Sequence, residues 1–114
     1  MESDWKNFRA LVPVLRERYI SDRNAAIRRR LADPRKTETE RFWEALHEMQ
    51  KEARILEQCL DGHSRSKMWY FMVLMRNAGM LRKEDLAGFS AEIRNQVFDE
   101  ADALRGETAS PDTP

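Results

Sequence analysis

One cysteine, Cys59, is all the 114 residues hold, so the chain can form no internal disulfide and offers no thiol set for zinc. Glycine and proline are scarce, four of each, which removes the turn signals a sheet protein of this size needs. There are two histidines, His47 and His63, no serine in a nucleophile elbow, and no glycine-rich phosphate loop. Long apolar runs are missing too. The longest uncharged stretch, Met68 to Met75, has eight residues against the roughly 20 of a membrane span. No signal-peptide pattern is visible at the start of the chain. Net charge is zero, with 20 Lys+Arg against 20 Asp+Glu, which argues against a general nucleic-acid coat or a polybasic membrane binder. What the chain does have is charge of both signs, 35% of residues, beside 41% hydrophobic ones. That mixture suits long amphipathic helices, and the expectation is one all-α, water-soluble, cytoplasmic domain.

The charge is blocked along the chain. Residues 1–36 hold ten bases and five acids, 37–64 three and seven, 65–83 five and none, and 84–114 two and eight. Such alternation fits complementary faces, within one fold or between identical copies, or else charge that follows solvated helix faces.

The apolar spacing predicts a first helix over 4–33, opened by Ser3 as cap. Trp5, Phe8, Val12, Leu15 and Tyr19 form its stripe, extended by Ala26 and Ile27. Pro13 is expected to kink it or to split off residues 4–12, and Asp33-Pro34 to end it. A second helix over 37–61 begins at a Thr37/Glu40 capping box and stops at Gly62. Inside it Phe42, Leu46, Met49, Ala53, Leu56 and Leu60 alternate spacings of four and three, the seam of a coiled coil or of an antiparallel hairpin. Two such helices joined by a short turn are expected to pack antiparallel. Residues 64–105 form a helical head. In it, the all-round apolar run from Met68 to Met75 is expected to be buried on most sides, Gly79 to end that helix, and Ser90 to cap a last one that carries Ile93, Val97, Ala101 and Leu104 and closes at Gly106. The single helical domain spans 1–106, and the polar tail 107–114 is expected to be disordered.

Beside the seam runs a second stripe, Trp43, His47, Gln50 and Arg54, rotated by one position. Trp and Arg are enriched at the energetic centres of interfaces, so the stripe is a candidate for self-association or partner recognition; a wider core with a solvated Arg54 is the plainer reading. Cys59 and His63, four apart, fall short of the four ligands of a closed zinc site, and Cys59 reads as a small apolar filler. The stretch from Arg65 to Lys83, five bases and no acid, together with the following helices, could be taken for a helix-turn-helix. Against that alternative, the last helix is acidic at Glu92, Asp99, Glu100 and Asp102 and would repel phosphates.

Several segments taken together are similar to the fluorescence recovery proteins of cyanobacteria and their relatives in other bacteria, over roughly residues 15–98. They are Leu15-Arg16-Glu17-Arg18-Tyr19, then Trp43 with Leu46-His47 and Arg54, and the turn Gly79-Met80-Leu81-Arg82-Lys83-Glu84-Asp85-Leu86. The resemblance implies an all-helical homodimer built on its long helices, with a compact head, no catalysis and no cofactor. It implies as partner the photoactivated orange carotenoid protein, whose return from red to orange such proteins speed. Carried over by position, Trp43, Glu48, Arg54 and Tyr70 belong to the dimer or partner surface, and two of these are in the stripe found by spacing. The chain departs from the cyanobacterial pattern by a residue inserted between Trp43 and Leu46, by the link Asp61 to Ser66, by a bulkier third helix, and by Gln96 at a basic position. These departures point to a non-cyanobacterial relative whose partner need not be a carotenoid protein.

Overall fold

A computed structural model describes residues 2–99 of the chain, all of it helix and connecting turns. Two long helices come first, α1 (Glu2–Leu31) and α2 (Glu38–Leu60). The head follows as a 3-10 turn (Arg65–Lys67), α3 (Met68–Asn77), a second 3-10 turn (Lys83–Leu86), α4 (Ala91–Arg94), and a wider π-type turn over Asn95–Asp99. There is no strand among the described residues. The predicted tail, and Ala101, Leu104 and Gly106 at the predicted end of the last helix, lie outside them.

Pro13 neither splits nor ends α1, which runs unbroken through it. The proline ring is exposed, so it crowds nothing on the packed side, and the loss is confined to one backbone hydrogen bond. Ser3 is not a cap either, because the helix has already begun at Glu2. Asp4, one residue on, is almost fully buried and caps a different helix. Its carboxylate accepts from the Ser90 N–H at 2.8 Å and the Ser90 Oγ–H at 2.6 Å, while Ser90 Oγ accepts from the Ile93 N–H at the start of α4.

At the hairpin tip, Asp33 accepts from both the backbone and the guanidinium of Arg35, which hold its carboxyl down at about 2. The α2 capping box forms as read from the sequence, Thr37 Oγ1 accepting from the Glu40 N–H and Glu40 from the Thr37 N–H. Gly62 and Gly79 carry positive φ, +79° and +78°, where the chain leaves α2 and α3. His63 donates its Nε2–H to the Cys59 carbonyl at 2.7 Å and so caps the end of α2.

The two long helices run antiparallel, paired at Arg30 with Glu48, Tyr19 with Glu52, and Phe8 with His63. The core lies at the far end from the tip, between the first half of α1, the end of α2 and the head. It contains Phe8, Leu15, Cys59, Phe71, Met72, Met75, Met80, Leu86 and Val97. Within α3 only one side is enclosed: Met68, Phe71, Met72 and Met75 are buried, but Trp69 and Tyr70 stay exposed, against the expectation of burial on most sides. Four polar ties hold the head to α1, one of them the exposed pair of Arg65 with Glu2 at 2.9 Å. Besides Asp4 with Ser90, Asn7 Nδ2–H donates to the Gly88 carbonyl, and Arg18 grips Asp85 with two bonds of 3.0 and 2.7 Å while also reaching the Met80 carbonyl. Burial alone would raise the Asp85 carboxyl. The Arg18 bonds, the Arg82 N–H and the two positive charges outweigh that and hold it below its ordinary value.

Candidate functional site

The face that α2 turns to α1 is not the apolar seam. Ala45, Glu52 and Cys59, seven residues apart, are the buried positions of this helix, with Glu48 and Ile55 half-buried beside them. A helix has room for one buried arc against one neighbour, and here a small residue, a hydrogen-bonded carboxylate and the cysteine fill it. The heptad line is therefore displaced to the flank. Leu46, Leu56 and Leu60 are half-buried there and Ala53 is exposed, while Phe42 and Met49 keep 56% and 51% of their surface. Leucines at the head end are thus partly tucked against the core, and the tip end is bare.

The neighbouring stripe lies further round, away from α1. Trp43 is 51% exposed, and His47, Gln50 and Arg54 are exposed with it. Trp43 meets Phe42 edge-on at 5.0 Å between ring centroids and His47 at 6.4 Å. Arg54 makes no ion pair among the described residues and stands about 16 Å along the axis from Trp43. Glu48 is on the other flank, bonded to Arg30 at 3.3 Å, in a polar cleft with Glu44, His47 and Lys51. Tyr70 is 52% exposed on the head and reaches the rest through Phe71, with no contact to the α2 stripe among the described residues. The structure thus groups Trp43 with His47, aligns Gln50 and Arg54 behind them, and sets Glu48 and Tyr70 apart.

Sequence reasoning on α2 alone missed the part that α1 contributes. Three hollows follow one flank of the hairpin from tip to head. The first, about 220 Å³ and lined by Ile27, Leu31, Phe42, Ala45, Leu46 and Met49, is bounded almost wholly by carbon. Next comes one between Arg16, Ile20, Leu56, Glu57, Leu60 and Asp61. A cleft of about 280 Å³ follows, with Trp5, Phe8, Arg9, Val12, Pro13 and His63 around it. On α1, Leu31, Ile27, Ile20, Arg16, Pro13 and Arg9 are spaced by three, four or seven and so share a single side of the helix, with Val12, Phe8 and Trp5 at its edge toward the core. The signal was present in the sequence as Ile20, Ile27 and Leu31, but it merges with the core stripe and cannot be separated without knowing where α2 lies.

Polar chemistry inside the hairpin is structural. Tyr19 Oη–H donates a hydrogen bond to the buried Glu52 carboxylate, with the Arg23 guanidinium 3.7 Å from the second oxygen and 5.5 Å above the Tyr19 ring. Burial first, then the bond to Glu52 and that carboxylate's charge, push the Tyr19 hydroxyl far above an ordinary phenol, against an opposing pull from Arg23. Burial likewise raises the Cys59 thiol, which makes it a filler and not a nucleophile. A wide depression at the tip holds Arg29, Arg30 and Arg35, but Arg30 is paired with Glu44 and Glu48, and Arg35 with Asp33. Among the described residues no three His, Cys, Asp or Glu side chains gather as a metal site requires, and no helix is long and apolar enough to cross a membrane. What the surface can offer chemically is apolar anchor area, a guanidinium and hydrogen-bond donors. Comparison with family models, curated proteins and solved structures returns no match.

Proposed function

We propose that this chain is a non-enzymatic regulator that acts by binding another protein, and that it does so as a homodimer joined along α2. The observation carrying this reading is the bare tip end of the heptad line, where Phe42 and Met49 leave about half their surface in water, with Trp43 equally exposed in the stripe beside them. Exposed apolar side chains scattered singly are ordinary, but a heptad line of them is the pattern by which helices associate. The line is self-complementary when two copies run antiparallel. Phe42 then stands opposite Leu60 of the second copy, Leu46 opposite Leu56, and Met49 opposite Ala53, so that each bulky side chain meets a leucine or a small residue. Within such a pair the Trp43–Arg54 stripe remains on the rim, open to a further protein.

In this reading Arg54 supplies a charge-assisted contact to a carboxylate on the partner, Trp43 supplies anchor area, and Tyr70 offers a second anchor from the head. The protein would act by population shift, preferring one state of its partner. The resemblance to fluorescence recovery proteins names the candidate partner, a red-form orange carotenoid protein. Sedimentation at micromolar concentration is expected to give a dimer. Pull-down from the host with wild type and Arg54→Glu is expected to lose the partner in the variant, with helical content unchanged; unaltered capture by the variant refutes the role of Arg54. Added protein is expected to speed dark red-to-orange reversion, and an unchanged rate removes the carotenoid protein as partner.

A further inference from the structure

We infer that the cleft beside Pro13 is the receptor for Phe42 of a second copy, so that each dimer contains two composite aromatic sites built from both chains. The inference rests on the self-association reading above and adds to it the place where the exposed phenylalanine goes.

The cleft is walled by α1 and by His63 of the link after α2, with Phe71 of α3 backing His63 from the core. Trp5 and Phe8 of α1 stack at 5.7 Å, Phe8 meets His63 edge-on at 5.0 Å, and His63 meets Phe71 of α3 at 4.7 Å. His63 is fixed in orientation by its bond to the Cys59 carbonyl. Val12 and Pro13 complete the apolar lining, and Arg9 stands at the rim. The row of aromatic edges and faces is rigid, concave and partly in water, which is what a phenyl ring from outside requires. Pro13 matters here because it has no N–H. The hydrogen-bond ladder lacks its donor at this turn, and the proline face is presented to the cleft in place of a longer polar side chain.

Register then selects the occupant. Within one hairpin Tyr19 is level with Glu52 and Phe8 with His63, so Leu60 is level with the turn around Val12. In the antiparallel dimer Phe42 of the second copy stands opposite Leu60. A helical Cβ leans toward its own N-terminus, which in the second copy points to the head of the first, and this carries the ring from the level of Leu60 toward His63. The hollow at Leu56 and Leu60 and the cleft at Pro13 lie one after the other on this flank, bounded on α1 by Arg16 and Ile20 and then by Val12 and Pro13. The twofold repeats the arrangement at the other end, and the bare tip of each hairpin covers the head end of its mate.

Phe42 is exposed, so Phe42→Ala should leave the fold of the single chain intact. Truncating an anchor that fills a pocket costs about tenfold in affinity or more, and two sites per dimer make about a hundredfold weaker association by sedimentation. Placement is tested by oxidative cross-linking in a Cys59→Ser background. Val12→Cys with Phe42→Cys is expected to give a covalent dimer. Phe42→Cys alone is expected not to, because its two copies stand 18 residues, about 27 Å, apart along the axis. Cross-linking by Phe42→Cys alone overturns the inference by showing a parallel pair. Dimeric sedimentation without any Val12–Phe42 cross-link also overturns it, leaving self-association standing. A wild-type chain that is monomeric at every concentration overturns both readings.

Discussion

Replacing Tyr19 by phenylalanine deletes one oxygen, and the structure says what that oxygen does. Its hydroxyl donates to the Glu52 carboxylate, which is 6% exposed and has, among the described residues, the Arg23 guanidinium at 3.7 Å as its one charged partner. The substituted ring would keep the packing against the core and the Arg23 contact at 5.5 Å, so the lost hydrogen bond is isolated from lost burial. A bond to a charged group contributes about 1.5–3 kcal/mol, and the acceptor it leaves behind is buried, so the expected loss is about 2–3 kcal/mol. For a domain of this size that lowers the melting temperature by roughly 10–20 °C. Urea and thermal denaturation followed by circular dichroism, at one fixed protein concentration, measure it. The double variant Tyr19→Phe with Glu52→Leu should recover most of the loss, because both polar partners have gone and an apolar side chain fills the arc facing α1. The raised Tyr19 hydroxyl fixes the pH dependence. The unfolded phenol ionises at about pH 10 while the folded one keeps its proton, so the unfolded state binds fewer protons above that pH. The wild-type advantage over Tyr19→Phe is therefore complete below about pH 10 and declines above it. A change under about 0.5 kcal/mol for Tyr19→Phe, or a double variant worse than the single, refutes the reasoning.

Arg18→Met should cost about 2–3 kcal/mol at pH 7, since it breaks a bidentate, partly buried grip on Asp85 and the bond to Met80. Because the Asp85 carboxyl is held low, that cost should shrink as pH falls below about 4, as seen in the urea midpoints of both proteins. Pro13→Ala should raise stability by about 1–3 kcal/mol, because it restores one helical bond at an exposed position; a melting temperature that does not rise contradicts an unbroken α1. Asp4→Ala should cost about 1–2 kcal/mol, and hydrogen exchange should quicken first at the α4 amides, whose Ser90 cap loses its support.

Local signals were legible in the chain and tertiary choices were not. The Thr37/Glu40 box, the left-handed Gly62 and Gly79, and Ser90 as cap depend on neighbours within four residues, and the structure contains each of them. The seam from Phe42 to Leu60 was equally legible as a line, but periodicity says that a face is apolar and not which neighbour covers it. Here Ala45, Glu52 and Cys59 took the inside because α1 supplies Tyr19 and Arg23 to satisfy Glu52, and Tyr19 lies 33 residues away from it. Pro13 misled for a related reason. A proline is read as a break unless its exposed side is known. Trp43, His47, Gln50, Arg54 and Tyr70 are exposed, whereas Glu48 is half-buried in its pair with Arg30.

The ties between α1 and the head join residues 62 to 86 positions apart, from Arg18 with Met80 to Asp4 with Ser90. Closing loops of that length comes late for a helical protein, whose contacts are otherwise mostly local. A chain emerging from the ribosome can assemble its hairpin as soon as α2 is out, yet its opening turn waits for Ser90 before its buried aspartate has a donor. Until then the methionine-lined interior stands ajar, and a nascent chain stalled or cut before that serine would be a target for chaperones and proteases despite two well-formed helices.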